Sequence, residues 1–231
     1  MRSPIDRSIR ARSARRTAAV TGPAATPADG GPPISRPRRA DRLLVMLVAA
    51  LVAASACDAR AAWTDGPPGG GERLPGPVAQ DVDYAEPVSA PAAPDLALAL
   101  LDGTRVSLAE LWAERPVVLV FFSSWCATCA DQQRTLSDLT AAHGDAVTFL
   151  GIAGRDESDA VMDFLVDHEV PYPVAMDADH TAARHYAAEE PPLIAVIDRG
   201  GGLLRGFPGG VADAATAEEL DATLTALYRR D

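Results

Sequence analysis

Lysine is absent from this chain: all 21 basic residues are arginine, a feature we assign to genomic base composition rather than to function. No apolar run is long enough for an ordinary membrane span. The longest, residues 43–56 (LLVMLVAALVAASA), has fourteen residues, against ~20 for a bilayer crossing. Basic charge is scarce after residue 57, where eleven arginines face twenty-nine acids, a balance of −18. That balance disfavours nucleic acid as a partner. Cysteine is limited to Cys57, Cys126 and Cys129. An odd count in an exported protein requires an explanation for the unpaired residue.

What is present is unevenly distributed. The 231 residues, 48% of them hydrophobic, allow one domain of ordinary size plus substantial extra chain. Residues 1–42 carry ten arginines against Asp6, Asp29 and Asp41, with no apolar periodicity. With the run 43–56 they read as a signal segment, flanked by Arg38, Arg39 and Arg42. The run ends in Ala54-Ser55-Ala56-Cys57, which resembles a bacterial lipobox. On that reading Cys57 becomes the lipidated mature N-terminus, which accounts for the odd cysteine. Ordinary cleavage after Ala54-x-Ala56 and an uncleaved anchor are the alternatives. Residues 58–93 are dense in Pro, Gly and Ala and read as a disordered tether.

Residues 117–133 (VVLVFFSSWCATCADQQ) organise the rest. Six unbroken apolar residues, rich in β-branched and aromatic types, predict a strand buried on both faces. Ser123 or Ser124 ends it and helps cap the helix that follows. Cys126-Ala127-Thr128-Cys129 then falls at the strand-to-helix junction. There the unpaired N–H groups and positive dipole end of the helix favour thiolate over thiol. The second sulfur lies one turn along, close enough for a disulfide with the first. The stretch alone reads as a thiol–disulfide exchange site, with Cys126 the attacking sulfur and Cys129 the resolving one.

Around it the pattern predicts strands at 96–101 and 105–107, a helical turn at 107–112 and the central strand at 117–122. A helix at 129–142, a strand at 147–153 and a helix at 158–168 follow. A strand at 172–176 and a helix at 179–188 lead to a hairpin of 193–197 with 203–207, and a helix at 216–230 closes the chain. Alternating strands and helices with a terminal hairpin give a three-layer α/β domain over 94–231.

These residues carry a resemblance. The domain resembles the thioredoxin-like fold with its mixed central sheet. Within it, it is similar to the exported TlpA/ResA-like thiol–disulfide oxidoreductases of the AhpC/TSA-redoxin type, including those of cytochrome c maturation. The match rests on Pro94-Asp95, Asp102-Gly103, Phe121 through Cys129, Val170-Pro171-Tyr172-Pro173-Val174, Asp177, Tyr186 and the run Pro192 to Asp198. It implies that Pro192 is a cis-proline lying against the sulfurs. It also implies protein thiols and disulfides as substrates, apocytochrome c among them, with a membrane redox partner and no cofactor beyond the Cys126–Cys129 pair. Trp125, Ala127, Thr128, Pro191 and Pro192 would support the substrate, Trp125 shielding the sulfurs.

The chain departs from the family at Thr128, often a proline, and at Gln132, often an acid. Arg134 replaces a helix proline, which predicts a straighter helix. Val120 stands where thioredoxin has a buried acid, and Pro191 removes one N–H from the substrate loop.

Other readings compete. One alternative makes Cys126 and Cys129 a purely structural disulfide, yet a four-residue loop gains little from crosslinking. A zinc site would need His180 and His185, which are five apart on a helix and face different ways. They read as solvated, as do His143 and His168. The Asp177 and Asp179 pair reads as helix capping rather than a cation site. A peroxiredoxin would have a proline where this chain has Leu119, although Ser123 fits that family's hydroxyl position. A non-catalytic binding module is the remaining alternative.

Overall fold

The computed structural model describes residues 67–230. The expected signal segment 1–57, the Cys57 lipidation site and the start of the expected tether, 58–66, lie outside the described residues.

A 3-10 turn at Gly71–Arg73 comes first, followed by β1 (Val82–Tyr84), β2 (Ala97–Ala99), β3 (Arg105–Ser107) and α1 (Leu108–Glu114). The central stretch is β4 (Val117–Phe122), α2 (Ala127–Asp131), α3 (Gln133–His143), β5 (Thr148–Gly154) and α4 (Ser158–Asp167). The chain ends with β6 (Val174–Asp177), α5 (Thr181–His185), β7 (Leu193–Ile197), β8 (Leu203–Pro208), α6 (Ala214–Thr225) and β9 (Tyr228–Arg230).

A five-stranded mixed sheet, in order β6-β5-β4-β7-β8, forms the middle layer. Strand β4 is parallel to β5 and antiparallel to β7. All six of its residues are buried, as the unbroken apolar run requires. Successive side chains point to opposite faces. Val118, Val120 and Phe122 therefore join a core with Leu136 and Leu139 of α3, Phe164 and Leu165 of α4, and Leu220 and Leu224 of α6. Val117, Leu119 and Phe121 join a second core with Leu108 and Trp112 of α1 and Ala182 and Ala183 of α5. The result is the three-layer, thioredoxin-like arrangement.

The expected tether does not hold beyond residue 66. Pro68, Gly69 and Gly70 are buried, and the Val174 N–H donates to the Gly69 carbonyl at 2.9 Å. Gly69 has φ +77°, and a Cβ there would stand 2.7 Å from Leu165 Cδ1. Here glycine serves close packing rather than freedom of the chain. The Asp102 carboxylate accepts from the N–H of Gly71 at 2.7 Å and of Thr104 at 2.9 Å. Those two bonds, the Gly71 bond first, hold its pKa below the usual carboxylate range. Arg115, only 2% exposed, donates to the carbonyls of Gly76 at 2.5 Å and Asp145 at 3.0 Å.

The C-terminus also differs from its expected single helix. Helix α6 stops at Thr225, and β9 turns back to pair antiparallel with β1, Tyr84 opposite Tyr228. His143, expected to be solvated, is 4% exposed; its ring nitrogens lie 2.8 Å from the Tyr228 hydroxyl and 2.8 Å from Asp221. The pairing of residues so far apart in sequence left no periodic trace to read.

Candidate active site

The site lies where β4 ends. Ser123 donates its hydroxyl to the Gly154 carbonyl at 2.5 Å. The Ser124 hydroxyl donates to Asp156 at 2.7 Å, and its N–H to the other oxygen of the same carboxylate. Both serines therefore tie the β4–α2 junction to the end of β5, and neither caps the helix. The N-cap of α2 is Cys126, whose Sγ accepts from the Cys129 N–H at 3.1 Å. That donation stabilises negative charge on Cys126 sulfur once the pair is reduced.

Cys126 and Cys129 are joined by a disulfide, with Cα atoms 5.2 Å apart. Cys126 is 7% exposed and Cys129 2%, so the first sulfur is the reachable one. Pro191 and Pro192 are joined by a cis peptide bond, as the resemblance implies, and the Pro191 carbonyl stands 3.9 Å from Cys126 Sγ. Trp125, expected to shield the sulfurs, is 60% exposed, its indole donating to the Arg155 carbonyl at 3.1 Å. Ala127 and Thr128 are exposed beside it.

Trp125, Arg155, His180, Glu189 and Pro191 rim a cleft floored by Phe121, Ile152 and Ala183. Its volume of ≈ 20 Å³ is room for about one water. The ground beside the sulfurs thus suits a chain segment laid across it better than an enclosed small molecule.

Two adjacent glutamines, Gln132 where the family often has an acid and Gln133 with no signal of its own, shape the inner side of the site. The helix expected to be straight is interrupted between α2 and α3 at Gln132. The Gln133 amide donates to the Cys129 carbonyl at 3.2 Å and accepts from the Tyr172 hydroxyl at 2.8 Å. Complete burial pushes the Tyr172 phenol well above its ordinary pKa, so it remains a neutral donor. Gln132 turns the other way, toward the chain after β8. Only the tertiary contacts separate these two roles.

The histidines do not gather at the sulfurs. His180 Nδ1 accepts from Arg155 at 3.2 Å, His185 is exposed, and His143 is bound to Tyr228 and Asp221. Asp177 accepts from the N–H groups of Ala182 at 2.9 Å and Ala183 at 2.8 Å, and Asp179 from that of Thr181 at 3.1 Å. Both act as caps of α5, as the sequence predicts.

The Redoxin family matches residues 87–224, more than half of the chain. The chain belongs to that family. It is 31% identical over 113 residues to the soluble secreted antigen MPT53 of Mycobacterium tuberculosis, covering 49% of this chain and 64% of that protein. The matched region thus spans less than two thirds of that relative's length. The thiol-disulfide oxidoreductase ResA of Bacillus thuringiensis is 24% identical over 133 residues, covering 57% of this chain and 74% of ResA. Among solved structures, the chain is similar to a secreted Mycobacterium tuberculosis disulfide oxidoreductase homologous to E. coli DsbE. That likeness has 27% identity and a TM-score of 0.51, covering 57% of this chain and 96% of the other. This Redoxin domain therefore shares fold and sequence with thiol–disulfide oxidoreductases, with its Cys-x-x-Cys disulfide placed where β4 meets α2.

Proposed function

We propose that this Redoxin protein is an exported thiol–disulfide oxidoreductase acting on protein substrates, held at the membrane through Cys57. The observation that carries the reading is the Cys126–Cys129 disulfide at a helix start, its more exposed sulfur facing the Pro191 carbonyl.

The cycle balances with two electrons. In the reducing direction, Cys126 thiolate attacks a substrate disulfide, forming a mixed disulfide and releasing one substrate thiolate. Cys129, as thiolate, then attacks Cys126 Sγ. The second substrate sulfur leaves as thiolate, takes a proton from water, and the internal disulfide is restored. A membrane redox partner with its own dithiol would reset the pair, and the oxidising direction runs the same steps backward. The Cys129 N–H bond to Cys126 Sγ favours Cys126 as the thiolate that attacks in the reducing direction and as the one expelled from the mixed disulfide in the oxidising direction. Apocytochrome c, whose haem-attachment cysteines must be reduced, is the substrate class we favour. What supports it is the resemblance, carried by Phe121 through Cys129 and Pro192 to Asp198, to exported oxidoreductases that include those of cytochrome c maturation.

The reduced protein is expected to turn over insulin disulfide and to leave hydrogen peroxide unconsumed. Ser123, the residue that fits a peroxide reductase, has its hydroxyl committed to Gly154. Peroxide turnover without insulin turnover would reverse the assignment. For the tether, the wild type is expected in the membrane fraction of its host and Cys57→Ser in the soluble one. An intact mass beginning at residue 58 or later, without lipid, would exclude lipidation.

A further inference from the structure

Gln132 is 3% exposed and spends both ends of its amide on one turn. Its Nε2 donates to the Gly209 carbonyl at 3.0 Å, and its Oε1 accepts from the Val211 N–H at 2.7 Å. The same turn reaches the substrate loop, because the Gly209 N–H donates to the Pro192 carbonyl at 2.9 Å. The turn is shaped for this amide. Gly209 and Gly210 have φ +80° and +68°, and a Cβ on Gly210 would fall on the amide oxygen. One fixed donor and one fixed acceptor on a planar, uncharged group is what an amide offers. An ionised carboxylate would set oxygen against the Gly209 carbonyl at a nearly buried position.

We infer that Gln132 is a positioning residue for disulfide exchange: its amide clamps the 209–211 turn to the helix of the Cys-x-x-Cys pair and so holds the Pro191-Pro192 loop at Cys126. The inference rests on the exchange reading above. Position 132 is where the resembled family often carries an acid. In this chain it has no proton to exchange near neutral pH and acts through the loop. The carboxylates lining the same recess are Asp131 on α2 and Asp213 at the start of α6. Asp213 is held below the usual range by the Thr216 N–H first and its hydroxyl second. Both are unchanged in the variants below, so a pH step that appears in exchange but not in alkylation of Cys126 belongs to residue 132 acting through the loop.

The test compares two reactions of the reduced protein: exchange with a peptide disulfide, which uses the loop, and alkylation of Cys126 by iodoacetamide, which does not. Gln132→Ala is expected to slow peptide exchange about tenfold, as loss of two buried hydrogen bonds suggests. Alkylation should stay within about twofold. Gln132→Glu is expected to approach the wild type as pH falls far enough to protonate the carboxyl, whose pKa burial beside the Gly209 carbonyl raises and which then still donates and accepts. It should fall below the wild type as pH rises and the carboxyl ionises. Exchange by Gln132→Ala within twofold of the wild type, or an equal fall in exchange and alkylation, overturns the inference. If Gln132→Ala does not fold, the Gln132→Glu profile decides, and one that runs parallel to the wild type overturns it. A wild type that alkylates but exchanges with no peptide overturns the exchange reading and this inference together. One that exchanges while both variants match it overturns this inference alone.

Discussion

Cys129→Ser is expected to turn the protein into a trap, accumulating mixed disulfides with its partners, while Cys126→Ser abolishes exchange altogether. The asymmetry follows from the site. Cys126 is the more exposed sulfur and receives the Cys129 N–H, so it is the sulfur positioned both to be reached and to ionise. Without Cys129 the first attack proceeds, but nothing displaces the bound partner. Without Cys126 the remaining sulfur, 2% exposed, has no route to a substrate. The loss should be on the order of 10³-fold or more, as for other removed nucleophiles. Nonreducing gels and mass spectrometry of the adducts read both outcomes. Capture by Cys126→Ser but not Cys129→Ser would reverse the order of attack. Activity kept by both variants would move the chemistry elsewhere. If captured proteins carry Cys-x-x-Cys-His segments, cytochrome maturation is the pathway; other exported proteins would define a broader substrate class.

A chain beginning at residue 94 is expected to be markedly less stable than one beginning at residue 67, although the first retains every residue around the disulfide. Removing 67–93 takes Val82 out of the core and deletes the Tyr84 hydroxyl bond to the Ala146 carbonyl, 2.9 Å long. It also unpairs β9 and strips one carbonyl from buried Arg115. Burial of one such aliphatic side chain contributes about 1.5–3 kcal/mol, and an orphaned buried donor costs about 1–3 kcal/mol more. Together these predict a loss of roughly 3–5 kcal/mol in urea unfolding. Equal midpoints and slopes for the two chains would return 67–93 to the status of a tether.

Acid offers an independent check on the same segment. Asp102 has a depressed folded pKa, with the Gly71 N–H as first cause. Its contribution is therefore present above the unfolded value of about 3.9 and is lost as pH falls through the lower folded value. In the chain beginning at residue 94 the Gly71 donor is gone, so that acid-labile increment should shrink.

The sequence by itself determined the parts of this protein that are written in neighbouring residues. The unbroken run Val117–Phe122 dictates a strand buried on both faces, and β4 is such a strand. A Cys-x-x-Cys pair directly after it places two sulfurs one helical turn apart at a helix start, and a disulfide there needs nothing further. Resemblance supplied the proline opposite those sulfurs, which no local rule would single out.

Tertiary structure decided what depends on distant partners. Composition marked 67–93 as a tether because Pro and Gly lack periodicity, whereas Gly69 is there for its closeness to Leu165. The end of the chain looked helical throughout, but Tyr228–Arg230 pairs with β1, a partner more than 140 positions away. Gln132 and Gln133 are identical neighbours in the sequence, yet one binds the turn at Gly209 and the other Tyr172 and the Cys129 carbonyl. The physical reason is one of range. Periodicity and helix-start chemistry act over a few residues and leave a readable pattern. A buried amide, by contrast, takes its role from whichever carbonyl and N–H the fold happens to bring against it.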